Sequence, residues 1–246
     1  MHDSENTERP ALSVIIPAYN EANYLPRTLE AVHRAMEQVD GVVEIIVSDN
    51  LSTDNTAAIA REYGARVVTA TTKCIAAVRN TGAAAARGRV LVFCDADNRI
   101  SPNLLASIQQ AMQRGRYAGG GVANVQMNRL SIGTFLFNML PLWCCAILLR
   151  TAMVVFYATP EAFEGVGGFD ETKPMAEDYD FAQRLRQWGK ARGLRYKNLY
   201  RGHVIVSTRK YDEHGDFFLI MNPRKLVRAI KKDQAVLDEF WYNPNR

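Results

Sequence analysis

LSVIIPAYNE, residues Leu12 to Glu21, is the stretch on which the fold reading turns. It opens with an apolar run, Leu12-Ser-Val-Ile-Ile16, and Pro17 closes that run. A short apolar run ended by a turn former reads as a strand buried on both faces, as in a parallel sheet, with the polar residues after it forming a loop. Downstream, Pro26 suits a first helical turn, and Leu29, Val32, Met36 and Val39 recur near the helical period until Gly41 stops them. Val42 to Val47 predicts a second strand. Thr53 or Asp54 is placed to cap a helix over 56–63, with Gly64 as the permissive residue after it. Ala65 to Thr69 predicts a third strand, the alanine-rich segment Ile75 to Ala86 a helix ending at Gly88, and Arg89 to Cys94 a fourth strand. Strand and helix alternating in this way predict an α/β fold with a central, mostly parallel sheet flanked by helices.

Further along, Ser101 and Pro102 read as the cap and first turn of a helix carrying Leu104, Leu105, Ile108 and Met112. Gly119-Gly-Gly121 reads as a break. The apolar segment 130–158 follows, with no charge from Leu130 to Leu149. That length approaches the roughly 20 residues that cross a bilayer, but Gly133, Asn138 and Pro141 interrupt it. A buried or interfacial helix pair is expected instead, with Trp143 and Tyr157 as residue types that favour a membrane interface. Core, dimer surface and membrane-interfacial acceptor site all fit. Arg224, Lys225, Arg228, Lys231 and Lys232, interleaved with Leu226, Val227 and Ile230, describe a basic C-terminal helix that suits either an anionic membrane surface or solvent.

Composition narrows the classes. A chain of 246 residues suits one α/β domain, and 48% hydrophobic with 23% charged residues is ordinary for a globular protein. The net charge of +4 and pI of about 8.9 favour phosphates, nucleotides or anionic headgroups. No basic run is interleaved with aromatics, so no nucleic-acid partner is expected. Cys74, Cys94, Cys144 and Cys145 have neither metal-site spacing nor a disulfide pattern. Met1 to Pro10 lacks the apolar core of a secretory signal, so the expected location is the cytoplasm or the inner face of the cell membrane.

Ligands of open α/β sheets sit beyond the carboxyl ends of the strands. Three polar clusters fall there: Pro17-Ala-Tyr-Asn-Glu21, Asp49-Asn-Leu-Ser-Thr-Asp54 and Asp95-Ala-Asp97. Asp95 and Asp97 are two residues apart at a strand end, so both carboxylates can face one way and share a hard divalent cation, Mg²⁺ or Mn²⁺, that would clamp a diphosphate. Capping of the following turn is the plainer use of the same residues.

These clusters, with Ala77-Val-Arg-Asn-Thr-Gly82, Gly167-Gly-Phe-Asp170 and Glu177-Asp178, resemble in order and spacing the motifs of glycosyltransferase family 2 over residues 12–190. The resemblance implies a GT-A (Rossmann-like) fold and inverting transfer from a nucleoside-diphosphate sugar, within one catalytic domain whose 10–120 half binds the nucleotide sugar and whose 121–246 half binds the acceptor. It implies nucleotide contacts from Pro17, Ala18, Tyr19, Glu21, Asp49, Arg79, Asp95 and Ala96, with Asn80 near the donor. It places Asp95 and Asp97 on the metal and makes Asp178 the general base, an acid at a helix N-terminus being the plainer reading. Glu177, His203 and Arg209 are secondary candidates around the acceptor and a closing loop that also holds Arg201 and Lys210. A lipid or lipid-linked acceptor is expected from the apolar segment. Leu51 and Asn55 depart from the family, where glycine is common, and Arg99 stands where some relatives have a metal-binding amide. The alternatives are a nucleotidyltransferase making nucleotide sugars and a non-catalytic nucleotide-binding module. A dehydrogenase is excluded, since no Gly-X-Gly-X-X-Gly follows the first strand.

Overall fold

A computed structural model describes residues 9–129, 131, 152, 154–173 and 176–209. A seven-stranded sheet has the order β3-β2-β1-β4-β8-β6-β9, and a three-stranded sheet the order β5-β10-β7. The strands are β1 (Leu12–Ala18), β2 (Val43–Asp49), β3 (Arg66–Thr69), β4 (Val90–Phe93), β5 (Arg99–Ile100), β6 (Tyr117–Val122), β7 (Val125–Met127), β8 (Val154–Ala158), β9 (Arg195–Leu199) and β10 (Val204–Val206). The first four are mutually parallel, while β8 runs antiparallel between β4 and β6.

Period-two alternation along the central strands builds three layers. Leu12, Val14 and Ile16 of β1, with Val90 and Val92 of β4, pack on one face against α1 (Leu25–Met36) and α4 (Leu104–Met112), with α2 (Thr56–Glu62) at the margin. Ile15, Leu91 and Phe93 point the other way, onto α3 (Ile75–Ala85), α5 (Pro160–Gly165) and α6 (Glu177–Ala191). That second face is knit by phenylalanines. Phe169 stacks on Phe181 at 4.2 Å between centroids and meets Phe93 edge-on at 5.1 Å. Each such pair contributes about 0.5–1.5 kcal/mol beyond its buried area. Phe93 lies two residues before Asp95 and Phe181 three after Asp178, so the cluster seats the start of α6 beside the end of β4.

Several expectations shift. Pro17 does not end β1, because β4 has already left that flank after Ile15 and only β2 continues alongside, so the missing N–H costs no ladder bond on the open side. Helix α4 begins at Leu104 rather than Pro102, with Ser101 drawn away to accept from the backbone N–H of His203. Gly119-Gly-Gly121 is no break but the middle of β6. A Cβ there would lie 2.2 Å from the Tyr157 carbonyl, 2.0 Å from the Lys197 carbonyl and 2.3 Å from the Ala152 carbonyl, so three glycines let neighbouring chain approach where any side chain would collide. Tyr157, read as an interface residue, is fully buried in β8 and donates its hydroxyl to the Lys197 carbonyl at 2.8 Å. Gly64 does follow α2 at φ +73°. The proposed helix pair at 130–149, with Trp143, lies outside the described residues, as do Lys210 and the basic helix at 224–232. Among the described residues no helix is long and apolar enough to cross a membrane.

Candidate active site

The loops after β1 and β2 are laced together before any ligand is considered. Glu21 donates its backbone N–H to Thr56 Oγ1 at 2.8 Å, Ala22 to Asp54 Oδ2 at 3.1 Å, and Thr53 to Asn20 Oδ1 at 2.8 Å. Asp54 also accepts from the Thr56 backbone at 2.9 Å, so its carboxylate, rather than the side chain of Asn55, serves the start of α2. Burial opposes ionisation of Asp54, but the hydrogen bonds from Thr56 and Ala22 prevail and hold it below its ordinary pKa. Leu51, where glycine was noted as common, takes the left-handed φ of +58° that glycine would adopt. The loop keeps the glycine conformation without the glycine.

At the end of β2 three polar atoms are buried without a hydrogen-bond partner among the described residues: Ser48 Oγ, Asp49 Oδ1 and Asn50 Oδ1. Asp49 Oδ2 accepts from Ser52 N at 3.3 Å, and Asn50 Nδ2 donates to the carbonyls of Ala70 and Thr72. An unmatched buried acceptor costs about 1–3 kcal/mol, so this strand end is poised to accept protons from a ligand. Pro17 and Ala18 pair with Ser48 and Asp49 across the ladder, and Tyr19 begins the adjoining loop.

Two arginines organise the carboxylates. Arg79 of α3 is buried and places NH1 2.8 Å from Glu177 Oε1 and NH2 3.0 Å from Asp95 Oδ1. Its guanidinium also lies 5.2 Å from the Phe169 ring centroid. Burial alone would lower the Arg79 pKa; Asp95 and Glu177 outweigh it, and the net shift is upward. Arg209 forks onto Glu21, NH1 to Oε2 at 2.6 Å and NH2 to Oε1 at 2.7 Å, and sets Nε 3.3 Å from Asp97 Oδ2. Its pKa is likewise raised against burial, by Glu21 and Asp97. Five carboxylates, those of Glu21, Asp95, Asp97, Glu177 and Asp178, thus gather around two guanidiniums.

Asp178 sits in the first turn of α6, half-buried, and accepts from the Tyr179 N–H at 2.7 Å. Burial first, then the neighbouring Glu177 charge, push its carboxyl up to about 6, with Asp95 adding to the rise and Arg79 opposing it. An acid at a helix N-terminus ordinarily shifts down. The upward shift is what a general base working near neutrality requires.

Residues the motifs only hinted at complete the frame. Asn80 fixes the Gly167-Gly-Phe-Asp170 loop, donating to the Phe169 carbonyl at 2.9 Å and accepting from Phe169 N at 2.9 Å. Arg184 of α6 holds the same loop through the carbonyls of Val166 and Gly168. Asn98, which no motif flagged, is buried beside Asp95 and donates to its Oδ2 at 3.4 Å. Ala96 is buried and its carbonyl accepts from Thr28. His203 is tied by its main chain to Ser101, and Arg201 is exposed. Among the described residues no three His, Cys, Asp or Glu side chains form a ready metal cage. Mg²⁺ and Mn²⁺ bound with a nucleotide ordinarily take only one or two carboxylates and complete their shell with phosphate and water, so Asp95 and Asp97 fit that demand.

The family model for Glycosyl transferase family 2 matches residues 13–142, which holds β1 through β7 and the whole Asp-Ala-Asp motif. The chain belongs to that family. Among curated relatives, the 4,4'-diaponeurosporenoate glycosyltransferase of Staphylococcus haemolyticus is 36% identical over 127 residues, 48% of this chain and 32% of that one. The chain spans from about a fifth to about a half of the length of the curated relatives it matches. Among solved structures, S. aureus TarS in complex with UDP-GlcNAc superposes with a TM-score of 0.63 at 19% identity, covering 80% of this chain and 58% of that one. The mannosyltransferase PcManGT of Pyrobaculum calidifontis, in complex with GDP-Man and Mn²⁺, gives 0.57 at 21% identity, covering 81% and 57%. Both likenesses establish the glycosyltransferase fold expected from the motifs.

Proposed function

We propose that this chain transfers a sugar from a nucleoside-diphosphate sugar to an acceptor hydroxyl or phosphate, with inversion, in one catalytic domain. The observation that carries the reading is the Arg79 bridge: one buried guanidinium joins Asp95, in the metal motif, to Glu177, the neighbour of Asp178. Residues from distant parts of the chain are thereby brought together. A divalent cation on Asp95 and Asp97 would offset the charge that develops on the departing diphosphate. Asp178 takes the acceptor proton as the hydroxyl attacks the anomeric carbon from the face opposite the leaving group. Asp49, with the free acceptors of Ser48 and Asn50, receives N–H and O–H donors of the nucleoside. Arg209 holds Asp97 until the donor arrives, then turns its charge toward the diphosphate. The two complexes named above, with UDP-GlcNAc and with GDP-Man and Mn²⁺, support this donor class. For the acceptor we favour a lipid or lipid-linked molecule, on the strength of the uncharged stretch 130–149 in the half that supplies Asp178.

The test is a thermal-shift screen of UDP, GDP and TDP sugars with and without Mn²⁺, followed by product analysis. One donor should raise the melting point in a Mn²⁺-dependent way, since a ligand that binds only the native state stabilises it by mass action. Turnover should consume the nucleotide sugar and release nucleoside diphosphate. Release of pyrophosphate would overturn the assignment. Full activity on a water-soluble acceptor, without sedimentation on anionic liposomes, would overturn the lipid part alone.

A further inference from the structure

The amino ends of the same strands carry the opposite charge. Arg9, Arg87, Arg89, Arg114, Arg116 and Arg195 are all exposed there, and none has a carboxylate partner within ion-pair distance among the described residues. Main-chain bonds pair neighbouring strand starts along this band: Arg89 N donates to the Pro10 carbonyl at 2.9 Å, and Arg195 N to the Arg116 carbonyl at 3.0 Å. A cavity of about 370 Å³ opens in this band, its polar lining supplied by Arg9, Arg89, Gln109, Gln113 and Thr159, with Asp40 as the single acid. That size lies within the range of small-molecule sites. Side chains at the starts of β1, β2 and β4 and from the end of α4 line the rest. Seven residues of β1, at about 3.3 Å each, separate it from the carboxylate cluster by roughly 20 Å.

Arg9 is already set in place. Its Nε donates to the Arg87 carbonyl at 3.1 Å and its NH2 to the Gly88 carbonyl at 3.4 Å, which fixes the guanidinium while leaving N–H groups uncommitted. A pre-positioned guanidinium lining the same cavity as a second arginine, with the Gln113 amide and the Thr159 hydroxyl beside them, matches the oxygens of a phosphate group. We propose that this cavity is a second binding site, taking a phosphate ester of about sugar-phosphate or lipid-headgroup size. Arg9 and Arg89 grip the phosphate, and Gln113 and Thr159 serve the substituent, while Gln109 holds the Asp40 main chain at the cavity wall. The site does not depend on the transfer reaction being correctly assigned.

The experiment compares wild type, Arg9→Ala/Arg89→Ala, Arg9→Lys/Arg89→Lys, and a control pair, Arg34→Ala/Arg61→Ala, taken from exposed arginines of α1 and α2. Calorimetric titration with sn-glycerol 3-phosphate and flotation with phosphatidylcholine vesicles containing phosphatidic acid distinguish a soluble ester from a lipid headgroup. Binding in either arm should weaken at least tenfold in the alanine pair and by a smaller factor in the lysine pair, with the control pair behaving as wild type. Thermal unfolding should be unchanged, because all four side chains are exposed. Absence of wild-type binding in both arms, equal binding by the alanine pair, or equal weakening by the control pair would each overturn the proposal.

Discussion

The two ends of one parallel sheet handle charge in opposite ways. At the carboxyl ends the acids are gathered and cross-linked: Arg79 spans Asp95 and Glu177, and Arg209 spans Glu21 and Asp97, with both guanidiniums largely sheltered from solvent. At the amino ends Arg66 pairs with Glu44, but Arg9, Arg87, Arg89, Arg114, Arg116 and Arg195 stand exposed with no ion-pair partner among the described residues. A net charge of only +4 conceals this division. The lesson is that a buried ion pair and an exposed charge of the same type do different physical work. The first fixes geometry and is costly to break, while the second is inexpensive to remove and is felt by whatever approaches from outside.

The sharpest way to break the contrast is Arg79→Ala, which strands the buried Glu177 carboxylate and unties Asp95. Removal of one partner from a buried pair costs about 3–5 kcal/mol. Urea unfolding should show that loss, whereas Arg89→Ala should stay within about 0.5 kcal/mol of wild type. Equal losses at the two ends would erase the distinction. Asp178→Asn should then lower turnover by about 10²–10⁴-fold while nucleotide binding persists, the range expected when a general base is removed. Isotope-labelled donor and calorimetry with the nucleoside diphosphate read the two effects separately.

The pH profile refines the same end of the sheet. Asp178 is raised to about 6, and the base acts when deprotonated, so kcat/KM should fall about tenfold per pH unit below that value and level off above it. The sign for folding is opposite to that of a salt-bridged acid. Because the folded-state pKa is raised, ionising Asp178 penalises the native state, and its contribution to stability declines as pH rises from 3.8 to about 6. A rate profile with no limb near 6 would remove Asp178 from the role. The smallest effect is expected at Leu51, held at φ +58° and largely exposed. Leu51→Gly should stabilise the protein by about 0.5–1 kcal/mol through relief of the left-handed backbone, measured by chemical denaturation.

Local pattern made the first half of the sheet legible. The apolar runs at 12–16, 43–47 and 89–94 are strands because alternate residues can bury on opposite faces, and their carboxyl ends collect Glu21, Asp49 and Asp95 as the α/β rule requires. What stayed hidden depends on partners remote in the chain. Arg79 meets Glu177 across 98 positions, and Arg209 reaches Glu21 across 188, so no window of sequence contains either bridge. Asn98 gave no signal beyond standing next to an Asp-Ala-Asp motif, because a buried amide and an exposed one are the same letter. Gly119 to Gly121 misled for a related reason. Out of context three glycines suggest a flexible break, and only the passage of Tyr157, Lys197 and Ala152 shows why side chains are forbidden.

That bare strand sets a rule for how the protein can change. Where backbone presses directly on backbone there is nothing to trim or enlarge, so β8 and β9 cannot be nudged outward by exchanging one residue for another at 119–121. Change in this part of the molecule therefore has to be worked out in the connecting loops. The spacing of β8, β6 and β9 stays a fixed dimension of the scaffold.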